Sequence, residues 1–269
     1  MELITSTSND LVKLVMSLHH KKGRKEQKLF IAEGIHPVTE ALKAGIPIQR
    51  YIWTSKLTTS LEGKTLLDQL QSRYQGIEVS DHVFRKMSET ESPQGILALI
   101  EIPSEKPIDF SRIRFGLIVD GVQDPGNIGT IIRTAWAAGL DSLFFTPGTA
   151  DPYQGKVVRA TMGGIFNQNL YPNRTPEYIY KNAEEHGIQI VAGYPDATQS
   201  YFEVEMLGPT LFLVGNEGKG VSEVWENYPI RKVYIPQPGQ AESLNVAVSA
   251  GILIYEAVRQ RMMNRSCKN

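Results

Sequence analysis

Apolar residues in the first hundred positions recur at two periods, helical and strand-like, that alternate along the chain. Leu11, Val12, Leu14, Val15 and Leu18 follow helical spacing behind Ser8, Asn9 and Asp10, any of which can cap a first turn. Residues 29–32 then read as a strand, 36–44 as a helix stopped by Gly45, 48–54 as a strand and 61–74 as a polar helix. A strand at 77–79, a helix opened by Asp81 and a strand at 95–102 complete a small α/β layer of about a hundred residues, an ordinary domain size.

The pattern fails at residues 102–107, Ile-Pro-Ser-Glu-Lys-Pro, where two prolines restrict the backbone. A linker there separates a first domain, 1–104, from a second, 110–264. The second opens at 115–119 with an all-apolar run, as expected of a parallel strand covered on both faces. Strands at 142–145, 168–171, 188–192, 210–214 and 232–235 alternate with helices near 128–138, 153–162, 176–186 and 242–262. The expected fold class is α/β, with a mostly parallel sheet in the second domain.

Composition acts mainly by exclusion. With 41% hydrophobic and 21% charged residues in 269, the chain can bury a core, and disorder is not expected. Its one cysteine, Cys267, builds neither a disulfide framework nor a cysteine zinc site, so no metal is expected and a reducing cytoplasm is the simplest setting. No signal-peptide core follows Glu2, and the apolar helix at 243–255 is too short to span a bilayer. A net charge of −1 argues against coating nucleic acid through bulk charge. A local basic run remains, His19, His20, Lys21, Lys22, Arg24, Lys25 and Lys28, which taken alone reads as a solvated loop.

Three stretches of the second domain place small and polar residues directly after an apolar strand. An open α/β sheet binds ligands at the carboxyl ends of its strands, so the three suggest one composite site. In the first, Asp120 to Asn127 leads into a helix bearing Ile128, Ile131, Ile132 and Ala135, and unpaired amides at that start favour an anion. Asn127 there is a cap or a site residue, and Arg133, off the apolar stripe, a surface charge or a ligand contact. In the second, Gly215, Gly218 and Gly220 let a backbone approach a ligand around the carboxylate of Glu217. Lys219 is followed by Gly220 rather than serine or threonine, so the phosphate-loop pattern fails, and the dinucleotide pattern is absent too. In the third, Pro236 to Glu242 precedes Ser243 and Asn245 at another helix start. A hydrolase elbow around Ser249 is rejected, because that serine lies inside an apolar helix and the last histidine, His186, precedes it.

In order and placement these stretches resemble the three motifs of the SpoU-type RNA ribose 2'-O-methyltransferases of the SPOUT superfamily, and the first domain is similar to that family's ribosomal-protein-like substrate module. The resemblance implies a trefoil-knotted sheet, S-adenosylmethionine as cofactor, a homodimer whose interface builds the site, and RNA, rRNA before tRNA, as substrate. A non-catalytic RNA-binding protein with the same fold is the alternative from another class. By motif position the cofactor contacts fall on Gly193, Gly215, Asn216, Ile235, Pro236 and Leu244, and the catalytic group on Asn127, Arg133, Glu217, Ser243 and Asn245. Thr161 stands where the family's serine is expected. A guanidinium holds its proton at physiological pH, so Arg133 is expected to bind phosphate and stabilise an alkoxide rather than act as base. In this setting Lys21, Lys22, Arg24 and Lys25, and Arg159 from the second domain, are expected to contact RNA.

Overall fold

A computed structural model describes residues 3–104 and 107–266. Cys267 and the linker positions Glu105 and Lys106 lie outside the described residues. In chain order the elements are α1 (Asp10–Leu18), α2 (Lys21–Gln27), β1 (Leu29–Glu33), α3 (Ile35–Lys43), β2 (Ile48–Trp53), α4 (Leu61–Gln71), β3 (Gly76–Glu78), α5 (Asp81–Met87), β4 (Ile96–Glu101), β5 (Phe115–Val119), α6 (Pro125–Ala138), β6 (Ser142–Phe145), α7 (Gly155–Ala160), β7 (Leu170–Tyr171), α8 (Pro176–Glu185), β8 (Gln189–Gly193), β9 (Thr210–Val214), β10 (Arg231–Val233) and α9 (Val246–Ser266). They form two compact units, and Asp151–Asn167, with α7, belongs to the first.

The first unit is built on a four-stranded mixed sheet of order β1-β4-β2-β3, in which β4 is antiparallel to both neighbours and β2 and β3 are parallel. Asn9 caps α1 by accepting from the amide of Leu11. One face of α1, carrying Leu11, Val12, Val15 and Leu18, packs with Val83, Phe84 and Met87 of α5 against Ile31, Ile52, Leu97 and Leu99 of the sheet. This amphipathic burial holds the helices in place more than intrinsic propensity does.

The basic run is a helix, not a loop. In α2, Lys21, Lys22 and Lys25 are exposed, with Lys22 in a loose 3.8 Å pair with Glu26. Arg24 corrects the sequence expectation, because it is only 4% exposed and does not reach solvent. Its guanidinium donates to Leu18 O (2.8 Å) and His19 O (3.0 Å) at the end of α1 and pairs with Asp151 at 2.7 Å. A buried cation must be neutralised and its donors filled, and every partner here is protein. Arg159 is half-buried and pairs within the first unit, 3.6 Å from the buried carboxylate of Glu33 and 3.7 Å from Glu89. The Thr161 hydroxyl is buried and donates to Val158 O.

The second unit holds six parallel strands in the order β10-β8-β9-β5-β6-β7. Central strands β5 and β9 are buried along their whole length, as expected where helices cover both faces. Ile179 and Ala183 of α8 pack with Ile190, Leu211, Leu213, Phe144 and Trp225 on one side. Helices α6 and α9 pack together, and α9 lies against β9. The last helix begins at Val246, not 242, because Asn245 is its cap and Pro236, Pro238 and Gly239 keep the preceding chain non-helical. No helix among the described residues is long and apolar enough to cross a membrane.

The buried Arg24 generates a stability prediction. Arg24→Ala strands Asp151 and two carbonyls and should cost about 3–5 kcal/mol, whereas Lys21→Ala at an exposed position should stay within about 0.5 kcal/mol. Urea unfolding of both variants checks this; equal effects would place Arg24 on the surface.

Candidate functional site

The carboxyl ends of β5, β9 and β10 carry the three motif loops, and the site is built within the second unit. After β5, the buried Asp120 accepts from Thr146 Oγ1 (2.7 Å) and from the amide of Ser222 (2.8 Å). Gly121 turns with φ of 67° and gives its amide to Thr146 Oγ1 and Thr149 Oγ1, at 3.2 and 3.0 Å. The chain then enters α6 through Asp124, whose side chain accepts from Asn127 N (2.8 Å), with Pro125 at the first helical position. Asp124 is therefore the cap, and the Asn127 carboxamide is left for other partners.

Those partners come from the other two loops. Asn127 Nδ2 donates to Glu217 Oε1 (3.0 Å), and Asn127 Oδ1 accepts from Asn245 Nδ2 (2.9 Å). Glu217 also accepts from the amides of Gln123 (3.2 Å) and Asp124 (3.1 Å). Asn245 in turn caps α9, accepting from the amides of Ala247 and Val248 at 2.9 and 3.3 Å. The Asn127 carboxamide thus joins residues 90 and 118 positions away from it in sequence.

The glycine-rich loop has its own frame. Asn216 and Gly220 exchange backbone hydrogen bonds (2.8 and 2.9 Å), and Asn216 Oδ1 accepts from the amides of Gly218 and Lys219. Asn216 Nδ2 reaches Gly121 O at 2.8 Å, tying this loop to the first. At Gly215 a Cβ would lie 2.1 Å from the backbone of Gly220 and Val221, so the folded-back loop requires glycine there.

Burial raises the Glu217 pKa, but the Asn127 carboxamide and the amides of Asp124 and Gln123 outweigh it and hold the carboxyl below its ordinary value. The site accordingly carries a carboxylate at neutral pH whose charge is met by donors rather than by a cation.

Arg133 and Ser243 do not join this network. Both are exposed, and neither has a hydrogen bond or ion pair among the described residues. Arg133 lies six residues beyond Asn127, about 9 Å along the α6 axis. The strands β10, β8 and β9 are neighbours, so Gly193 at the end of β8, Gly215 after β9 and Ile235 and Pro236 after β10 sit side by side at one edge. Leu244 is half-buried beside the α9 cap, and in the intervening loop the buried Gln237 Oε1 has no hydrogen-bond partner. An unpaired buried acceptor and glycines at two adjacent strand tips suit an amphipathic nucleoside ligand. Among the described residues there is no cluster of three or more His, Cys, Asp or Glu fit for a metal.

Sequence reasoning missed the supports, Asp120, Thr146, Thr149 and Ser222, since bonds between distant loops leave no local signal. The Asp124-Pro125 pair did carry one, a capping residue before proline at the first helical position.

Residues 114–255 match the SpoU rRNA Methylase family, more than half the chain. The chain belongs to that family. Residues 9–98 match the MRM3-like substrate binding domain. Among SpoU relatives, the 23S rRNA (guanosine(2553)-2'-O)-methyltransferase RlmP of Bacillus subtilis is 38% identical over 256 residues, covering 95% of this chain and 98% of the relative. An uncharacterized tRNA/rRNA methyltransferase of Synechocystis sp. is 35% identical, covering 96% and 94%. The crystal structure of the SpoU methyltransferase AviRb from Streptomyces viridochromogenes in complex with the cofactor AdoMet superposes with a TM-score of 0.85 at 28% identity, covering 95% of this chain and 98% of that one.

The lowered Glu217 pKa fixes the sign of a pH dependence. A group depressed in the folded state stabilises above its unfolded pKa and loses that contribution as pH falls through its folded pKa. The melting temperature should therefore fall below the ordinary carboxylate range, and in Glu217→Gln part of that acid loss should vanish. An unchanged acid limb in the variant would show that the carboxylate does not hold the loops.

Proposed function

We propose that the protein transfers a methyl group from S-adenosylmethionine to a ribose 2'-hydroxyl of ribosomal RNA. One observation carries this reading: the three motif loops converge through Asn127, Glu217 and Asn245 at the carboxyl edge of the parallel sheet. The names of the relatives and the AdoMet-bound SpoU neighbour support the substrate and the cofactor. Gly193, Gly215, Asn216, Ile235, Pro236 and Leu244 would hold the cofactor, which supplies an electrophilic methyl on a sulfonium. The chain's residues would present the ribose 2'-hydroxyl oxygen to that methyl, with the sulfonium released as a neutral thioether and the hydroxyl proton passing to solvent water. Arg133 binds the neighbouring phosphate and stabilises the developing alkoxide, while Asn127, Glu217, Ser243 and Asn245 position loop backbone and ribose in a preorganised cleft. Lys21, Lys22 and Lys25 of the first unit supply exposed charge for the RNA backbone.

The homodimer belongs to the same reading. Val248, Tyr255 and Met262 are exposed at seven-residue spacing along α9, and Trp136 is exposed on α6, so apolar surface lies open on two packed helices. Arg133, unpaired and one turn from Trp136, is where a second copy would complete a site. A trefoil knot in the sheet and a cytoplasmic setting complete the proposal.

Incubation with labelled methyl donor and an unmodified 23S rRNA transcript should place methylation on one ribose. Arg133→Ala should abolish turnover and leave S-adenosylhomocysteine affinity intact. Loss of cofactor affinity in that variant would refute the role of Arg133, and absence of any methylation by the parent protein on rRNA or tRNA would favour a binding protein with this fold.

A further inference from the structure

Both α3 and α4 run back across one side of the first unit's sheet from strands β1 and β2, which share a direction because each is antiparallel to β4. Between the helices lies a cleft of about 840 Å³ that none of the motifs describes. It is lined by the apolar Leu42 and Leu66, 9% and 2% exposed, and by the threonines Thr39 of α3 and Thr65 of α4. Lys43 and Arg73 share one end; the guanidinium of Arg73 has no partner among the described residues, while Lys43 pairs with Glu40. At the other end Gln94 gives its oxygen to the amide of Ile35 (2.8 Å), which fixes the carboxamide and leaves its NH2 as an oriented, unpaired donor.

We propose that this cleft holds an unpaired nucleotide of the substrate RNA. An apolar lining suits a base plane, a fixed NH2 suits the carbonyl or ring-nitrogen edge of a base, and the cations at the far end suit its phosphate. From His36 to Lys43 the α3 face runs about 10 Å, the reach of one nucleotide with its phosphate. Protein sites read RNA sequence mainly through such splayed bases, because the deep groove of an RNA duplex is closed to side chains. The proposal rests on the RNA-methyltransferase reading and adds where the substrate is recognised; it also fits the match of residues 9–98 to a substrate binding domain.

The test compares Thr65→Trp, which fills the cleft, with Arg73→Gln and Gln94→Ala, all at exposed positions. Retention of an unmodified 23S rRNA transcript on filters is measured across salt, and S-adenosylhomocysteine binding by calorimetry. Each variant should bind the transcript about tenfold more weakly, and Arg73→Gln should lower the salt slope by about one. Cofactor affinity should not move. Transcript affinities equal to the parent's in all three variants would overturn the cleft assignment while leaving the enzyme reading in place. A parent protein that fails to bind the transcript would overturn the RNA reading, and the cleft with it. Should Thr65→Trp lower the melting temperature, the two smaller variants decide.

Discussion

Glu217 is the point on which the arrangement of the second unit turns. A carboxylate at a strand tip has about four acceptor sites, and Glu217 receives two backbone amides of the first motif loop, the carboxamide of Asn127 and, at 3.4 Å, that of Asn216. Because Asn127 spends its donor on Glu217, its oxygen is oriented to receive Asn245, and Asn245 spends its own oxygen on the free amides of α9. Each bond fixes the rotamer that makes the next one possible. Three loops that are far apart in sequence are thereby tied to one another by side-chain bonds, the kind of cross-linking on which electrostatic preorganisation depends.

That shape rests on a second, buried layer. Asp120 joins the β5 loop to Thr146 after β6 and to Ser222 beyond the glycine-rich loop, and Asn216 ties that loop back to Gly121. The glycines are then explained individually: Gly121 by its positive φ, Gly215 by the backbone that folds against it. Mobile loops would have to be ordered anew at every binding event, at a cost in affinity.

Much of this was legible in the residues. The all-apolar run at β5 announced a doubly covered parallel sheet, and the small polar stretches after the apolar strands announced the ligand edge. The start of α6 was misplaced by three residues because the aspartate-proline cap was passed over, and with it the reason the Asn127 side chain is free. Basic residues were harder. Sequence spacing shows that Lys21 to Lys25 are close together but not which of them faces inward, and the burial of Arg24 depends on Asp151, 127 positions away. Arg159 was likewise unreadable, since its partners Glu33 and Glu89 belong to the opening hundred residues. The pattern is general: local periodicity records elements, whereas the pairing of charges records the tertiary fold.

The central claim is that Glu217 and Asn245, which share no hydrogen bond, act on the site as one through Asn127. A double-mutant cycle of Glu217→Ala and Asn245→Ala on the dissociation constant of S-adenosylhomocysteine measures this directly. The account predicts a coupling of about 0.5–3 kcal/mol that disappears when the cycle is repeated in an Asn127→Ala background. Additive effects in the parent protein, or a coupling that persists without Asn127, would contradict it.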